Sequence, residues 1–472
     1  MTSHTRSSFQ NAMNSPHRHS MLAAAFLLAS TPQAMARPPA PDLVPLPEVA
    51  AWARSNLHAV DRVTLDGDLQ DLEPLRAIIG KARIVSFGEG MHGADEPLQF
   101  RNRMFRFLVE RLGFNAIAIE SGVTEGFAVN RYVLGAGDER DLNAVVSRGF
   151  SFGFDRLPQE TDLVRWMRRY NEQPGRLRKI EFFGLDVPGS PTDMQSTLWM
   201  ALDYLQARDA ALARGFRARI ADLIPHLTLD RASAAPGQYT GLTQAERDRM
   251  TATIADVIAQ FETHETEYVS ATSVRDYAMA YHAAVAARQV DDYLRQLPLG
   301  WTPAQGVNGL YGTVASADHS KAENLRWVLD QLGPDARVLV FMHRDHLAYT
   351  RSTVRLPPPA DRATLPPMVG MYLKQRYGED LVMIAHLFGR NASHCGAPTT
   401  TAPAGGVEAL LSGMAPAYFL LDLRTAPSDV SSWLHRDHEL FGEPPLNTTA
   451  IGAAYDAVFF SRSVQPAIPC HR

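Results

Sequence analysis

The chain is poor in cysteine, in long apolar runs and in charge of one sign. Cys395 and Cys470 are its two cysteines among 472 residues. Two are too few for a zinc ribbon, and no C-x-x-C-H segment offers the usual covalent haem attachment. They leave open one disulfide tying the tail to the body, or two unpaired thiols. The net charge of −5, with its signs interspersed, argues against a nucleic-acid-binding surface. One apolar run stands apart, Met21–Ala29, and it is too short to span a bilayer. It follows a leader with Arg6 and Arg18 and no acid, and it precedes Ala34-Met35-Ala36 and a Pro-rich stretch. That order is the pattern of a cleaved secretory signal. The sequence therefore predicts a signal peptide over 1–36, a Pro-rich segment over 37–60 and a body over 61–472. The mature protein is expected in the periplasm or outside the cell, with no stable membrane insertion after cleavage.

Within the body, short runs rich in Val, Ile and Phe alternate with helical stretches. They begin at Ile84, Ala116, Ile180, Val338, Leu381, Tyr418 and Ala457. Near-continuous apolar strands of this kind predict an α/β fold with a largely parallel central sheet flanked by helices. From about 195 to 300 the strand signal vanishes, and Thr243-Gln-Ala-Glu246 reads as a capping box. This region is a helical insertion that either walls a pocket or only covers the sheet.

In open parallel sheets, ligands bind beyond the carboxyl ends of the strands. The first apolar run leads into Gly88-Glu89-Gly90-Met91-His92-Gly93, and the second ends in Glu120. The third reaches Asp186, and the fourth ends in His343-Arg344-Asp345-His346. Four strands thus bring proton-transferring side chains to one edge. On the following helix, Leu98, Phe105, Leu108 and Leu112 trace an apolar stripe that also contains Arg101. An inward guanidinium needs a partner, and Glu89, Glu96 and Glu120 are the candidates. It either forms a structural bridge or steadies charge at the site. The segment Gly149-Phe150-Ser151-Phe152-Gly153 matches the nucleophile elbow, but a poor strand precedes it and Pro158 delays the next helix.

Residues 88–122 closely resemble the first motif of the erythromycin esterase family, at Glu89, His92, Glu96, Arg101, Gly113-Phe114 and Glu120. Gly184-Leu185-Asp186, Glu323-Asn324, His343 with His346, Leu421-Asp-Leu-Arg424 and Tyr455–Phe459 extend the likeness to roughly 70–465. Two positions depart from the family's pattern: Arg344, where Asn is common, and Met91, where a small or polar residue is common. The resemblance implies hydrolysis of a small-molecule ester or lactone without metal or cofactor. In the named members the bond is that of the macrolactone ring. His92 would be the general base, oriented by Glu89 or Glu120. Arg101, His343 and His346 would polarise the carbonyl or position water, with Glu96 and Asp186 behind them. Two other readings stay open: a metal-dependent hydrolase using the same Glu and His cluster, and a non-catalytic haem- or metal-binding protein of related fold. The substrate is equally open, between a macrolide, with antibiotic resistance as the role, and a housekeeping ester or lactone.

Overall fold

The computed structural model describes residues 47–187, 194–223, 239, 241–296, 311–355, 362–442 and 447–470. The expected signal peptide lies outside the described residues. All seven apolar runs are strands of one eight-stranded sheet. Across the sheet the order is His58–Ala59, Tyr418–Asp422, Ala457–Ser461, Leu381–Phe388, Ile84–Glu89, Val338–His343, Ala116–Gly122 and Glu181–Asp186. The six strands from Ala457–Ser461 onward run parallel, and the first two are each paired antiparallel, His58–Ala59 forming the edge.

Alternation along each strand divides the core in two. Val85, Phe87, Ile117, Ile119, Leu339 and Phe341 face one apolar cluster. Ile84, Ala116, Ala118, Val338, Val340 and Met342 face the other. Helices must therefore cover both faces, because a strand buried on both sides has no solvated face to spare. Helix Asp95–Leu112 covers the first face with Leu98, Phe100, Met104 and Phe105. Helix Tyr311–Leu332 covers the second with Ala322, Leu325 and Val328.

Between 194 and 295 the described regular elements are helices, the longest being Gln244–Thr263 and Val274–Arg295. The first opens on the capping box: Thr243 Oγ1 accepts from Glu246 N, and Glu246 Oε2 accepts from Thr243 N. These helices form a third cluster that docks onto Val123 and Phe127, behind the Ala116–Gly122 strand. Among the described residues, no helix is long and apolar enough to cross a membrane. A four-stranded antiparallel sheet (Asp437–Glu439, Asn447–Ala450, Thr353–Arg355, Arg362–Thr364) was not anticipated. Its strands are too short and polar to show a period.

Candidate active site

Parallel pairing fixes which strand ends meet. Glu89 lies in register with His343, and Gly122 with Asp186. One extra residue bulges from the Ala116–Gly122 strand between Ile119 and Gly122, the stretch that carries Glu120 and Ser121. Such a bulge re-aims a side chain where regular pairing ends. Glu120 turns across the sheet edge: its Oε2 accepts from His343 N at 2.8 Å, and its Oε1 lies 3.2 Å from His346 Nε2.

The GEGMHG segment leaves its strand as a tight loop. A Cβ on Gly88 would sit 2.5 Å from Arg344 Cα, and one on Gly90 would sit 2.7 Å from Arg344 Nη1. Two glycines are needed for this close approach. Gly93 has φ +68°, in the left-handed region that favours glycine. Between them, His92 Nδ1 is 2.7 Å from Glu89 Oε1. The Glu89 side chain is 2% exposed and that of His92 26%, so the pair has a buried anchor and an open end. Burial pushes the Glu89 carboxyl up, against the opposing pull of His92. The other Glu89 oxygen has no hydrogen-bond partner among the described residues. The ring centroids of His92 and His343 are 4.9 Å apart, and Phe154 packs against His92 at 5.6 Å. His343 Nδ1 accepts from Asp345 N at 3.4 Å.

Behind this pair lies a buried ionic network. His346 Nδ1 is 2.8 Å from Asp318 Oδ1, while Nε2 meets Glu120. Lys321 Nζ is 3.2 Å from Asp186 Oδ1. Burial alone would discharge His346, but Asp318 and Glu120 outweigh it and push the imidazole up to about 10. His346 is therefore a fixed cation near neutral pH. Burial likewise opposes ionisation of Glu120, yet His346 and Lys321 hold its carboxyl well below the ordinary range.

His92, Glu89, Glu120, His343, His346 and Asp186 thus converge on one sheet edge. Arg101 and Glu96 stand elsewhere. Arg101 is fully buried, as its stripe predicts, but its partner is none of the three expected glutamates. It makes a two-pronged pair with Glu160, at 2.7 and 2.9 Å, and lies 4.6 Å from the Phe341 ring centroid. Glu160 stands 59 residues downstream on helix Pro158–Asn171, and sequence spacing gave no hint of it. Glu96 accepts from Gln465 N at 2.8 Å and holds the C-terminal tail. Asp318 and Lys321 were also missed. They belong to a helix face that includes Leu325, and the reasoning that found Arg101 would have found them.

Ser151 of the G-x-S-x-G segment is fully buried, and a helix, Leu142–Gly149, precedes it instead of a strand. The two departures from the family pattern also turn away from the polar centre. Met91 packs with Ala94, Phe388 and Val464. Arg344 donates to the carbonyls of His386 and Phe441. Among the described residues, no three His, Cys, Asp or Glu side chains are arranged to share one metal ion. Cys395 and Cys470 form a disulfide.

The profile of the family described as Erythromycin esterase matches residues 109–464. That span holds Glu120, Asp186, His343 and His346, and it begins after Glu89, His92, Glu96 and Arg101. The Escherichia coli protein Erythromycin esterase type II is 26% identical over 288 residues, or 60% of this chain. The alignment spans 65% of that relative, just under two thirds of its length. A crystal structure of a Bacillus cereus protein is 21% identical, with a TM-score of 0.72, covering 90% of this chain and 98% of that one. A mutant of the erythromycin esterase EreC in its open conformation is 17% identical, with a TM-score of 0.64, covering 85% and 95%. At these identities the two structures attest a common fold.

Proposed function

This chain belongs to the erythromycin esterase family, and from that footing we propose that it is an exported hydrolase that cleaves an ester or lactone with water activated by His92. The observation that carries the reading is the 2.7 Å bond from His92 Nδ1 to Glu89 Oε1 at the open end of the sheet. An ionised Glu89 accepting from Nδ1 fixes the tautomer whose Nε2 bears the lone pair. That nitrogen takes a proton from water, and the hydroxide attacks the carbonyl. The imidazolium so formed stands against the Glu89 carboxylate, then returns its proton to the leaving alkoxide. One ester and one water become one acid and one alcohol.

His343 supports the developing oxyanion. Its Nδ1 lies 3.4 Å from both Asp345 N and Asp345 Oδ2, and the tautomer with the proton on Nε2 is the one that donates to that charge. Glu120, His346, Asp318 and Lys321 keep both strand ends in place through paired buried charges. Arg101, closed off by Glu160, acts at a distance: its charge favours the ionised form of Glu89. The Cys395–Cys470 disulfide supports export, since such bonds persist in oxidising compartments.

The test is incubation of the chain from Arg37 onward with macrolides and simple esters, read by mass spectrometry for gain of one water. His92→Ala should lower kcat/KM on any substrate found by about 10²–10⁴-fold. Wild-type turnover by that variant would sink the assignment.

A further inference from the structure

We infer that the C-terminal strap Val464–Cys470, held by the Cys395–Cys470 disulfide, positions the His92 loop, so that a dithiol reductant loosens it. The activity arm of this inference rests on the hydrolase reading above, whereas the structural arm does not.

The strap is anchored at both ends on one hairpin, Arg390–Asn391 paired with Thr400–Thr401. At its start, Val464 N donates to Arg390 O and Ala392 N donates to Val464 O, each at 2.9 Å. At its end, Cys470 bonds to Cys395 in the loop of that hairpin. Between the anchors the strap runs along the residues that follow His92. Ala467 N donates to Gly93 O, Asp95 N to Gln465 O and Gln465 N to Glu96 Oε2, each at 2.8 Å. Ala94 and Pro466 pair as an antiparallel bridge. On the other side of His92, Met91 packs against Val464.

The loop is therefore gripped on both sides of His92 by the strap, while Glu89 holds the imidazole from within. Gly93 offers no side chain to pack, so the Gly93–Ala94 peptide is fixed through its carbonyl bond to Ala467 N. Beyond Ala467 the described chain, Ile468–Cys470, is exposed, and the disulfide is its covalent hold. Chain ends without such a tie fray readily.

Both cysteines are exposed and open to attack. A small dithiol reduces the bond by two thiol–disulfide exchanges. The S–S bond breaks, two electrons and two protons pass to the Cys395 and Cys470 sulfurs, and the reagent closes to its cyclic disulfide.

The test compares oxidised and dithiol-reduced chain by hydrogen exchange and mass spectrometry, with thiol labelling to confirm reduction. Peptides covering 90–96 and 464–470 should exchange at least about tenfold faster after reduction, while 338–343 stays unchanged. Ala467→Pro, which removes the N–H given to Gly93 with the disulfide intact, should loosen 90–96 alike. On a turned-over ester, kcat should fall about tenfold on reduction with KM within about twofold, as expected for a misplaced base, and reoxidation should restore it. Unchanged exchange at 90–96 in fully reduced protein overturns the inference. An equal rise at 338–343 overturns it too, because the bond would then be a global staple. The exchange arm needs no substrate, so failure to find an ester would count against the hydrolase reading alone.

Discussion

Ser151 shows how little a short motif says without its surroundings. Its hydroxyl donates to Glu125 Oε1 at 2.9 Å and accepts from Gly122 N at 3.0 Å, while its own N–H reaches Ser121 Oγ. The next residue, Phe152, has φ +61°, a strained value for an aromatic side chain. The turn is over-determined by these bonds and secures the end of the strand that carries Glu120. Ser151→Ala leaves the Gly122 N–H without its acceptor in a buried place. We expect a loss of about 1–3 kcal/mol in urea unfolding, kcat/KM within about threefold of wild type, and no labelling of the parent by a serine-directed inhibitor. Covalent modification of Ser151 would reverse the assignment of this residue and of the water mechanism together.

At the scale of elements, helix Asp95–Leu112 separates what the sequence reveals from what it hides. The spacing of Leu98, Phe105 and Leu108 turned Arg101 inward, and the structure agrees. Arg103 lies off that stripe, yet it too is buried and paired with Asp71. The N-terminal segment covers that side of the helix too, which no local period records. The seven strands were legible because burial on both faces leaves a continuous apolar run. The four strand ends followed from parallel order. Glu160 was not legible: its partner Arg101 lies 59 residues off on another helix, and a lone acid on a helix looks solvated until its neighbour is known. The Arg101–Glu160 pair makes a direct test. Arg101→Met strands a buried carboxylate and should cost about 3–5 kcal/mol, whereas Arg101→Met with Glu160→Met should recover most of that loss. Denaturant unfolding of the two single variants and the double variant gives the coupling. Additive losses would show that the pair does not act as a unit.

For the whole molecule, the buried charges set the pH at which the fold is firmest. Glu120 is depressed on folding, so its contribution is complete above about pH 4.5 and lost as pH falls through its lowered folded value. His346 is raised from 6.5 to about 10, so its contribution is complete below about pH 6.5 and drains away as pH rises toward 10. Glu96 and Glu408, both pushed up by burial to about 7, work against the fold as pH climbs from about 4.5 to 7. Glu120 and His346 both contribute fully between about pH 4.5 and 6.5, and the raised Glu96 and Glu408 tilt the maximum to the acid end of that window. Between pH 6.5 and 9 the His346 linkage alone should remove on the order of 3 kcal/mol, from about 1.4 kcal/mol per pH unit. His346→Gln should be less stable throughout and should flatten this alkaline limb. Glu408→Gln, a mimic of the protonated acid, should flatten the stretch from 4.5 to 7 instead. Urea unfolding at half-unit pH steps distinguishes them. A wild-type curve that is level from pH 6.5 to 9 would mean that His346 is not held as a cation, and the network behind Glu89 and His92 would need a different charge assignment.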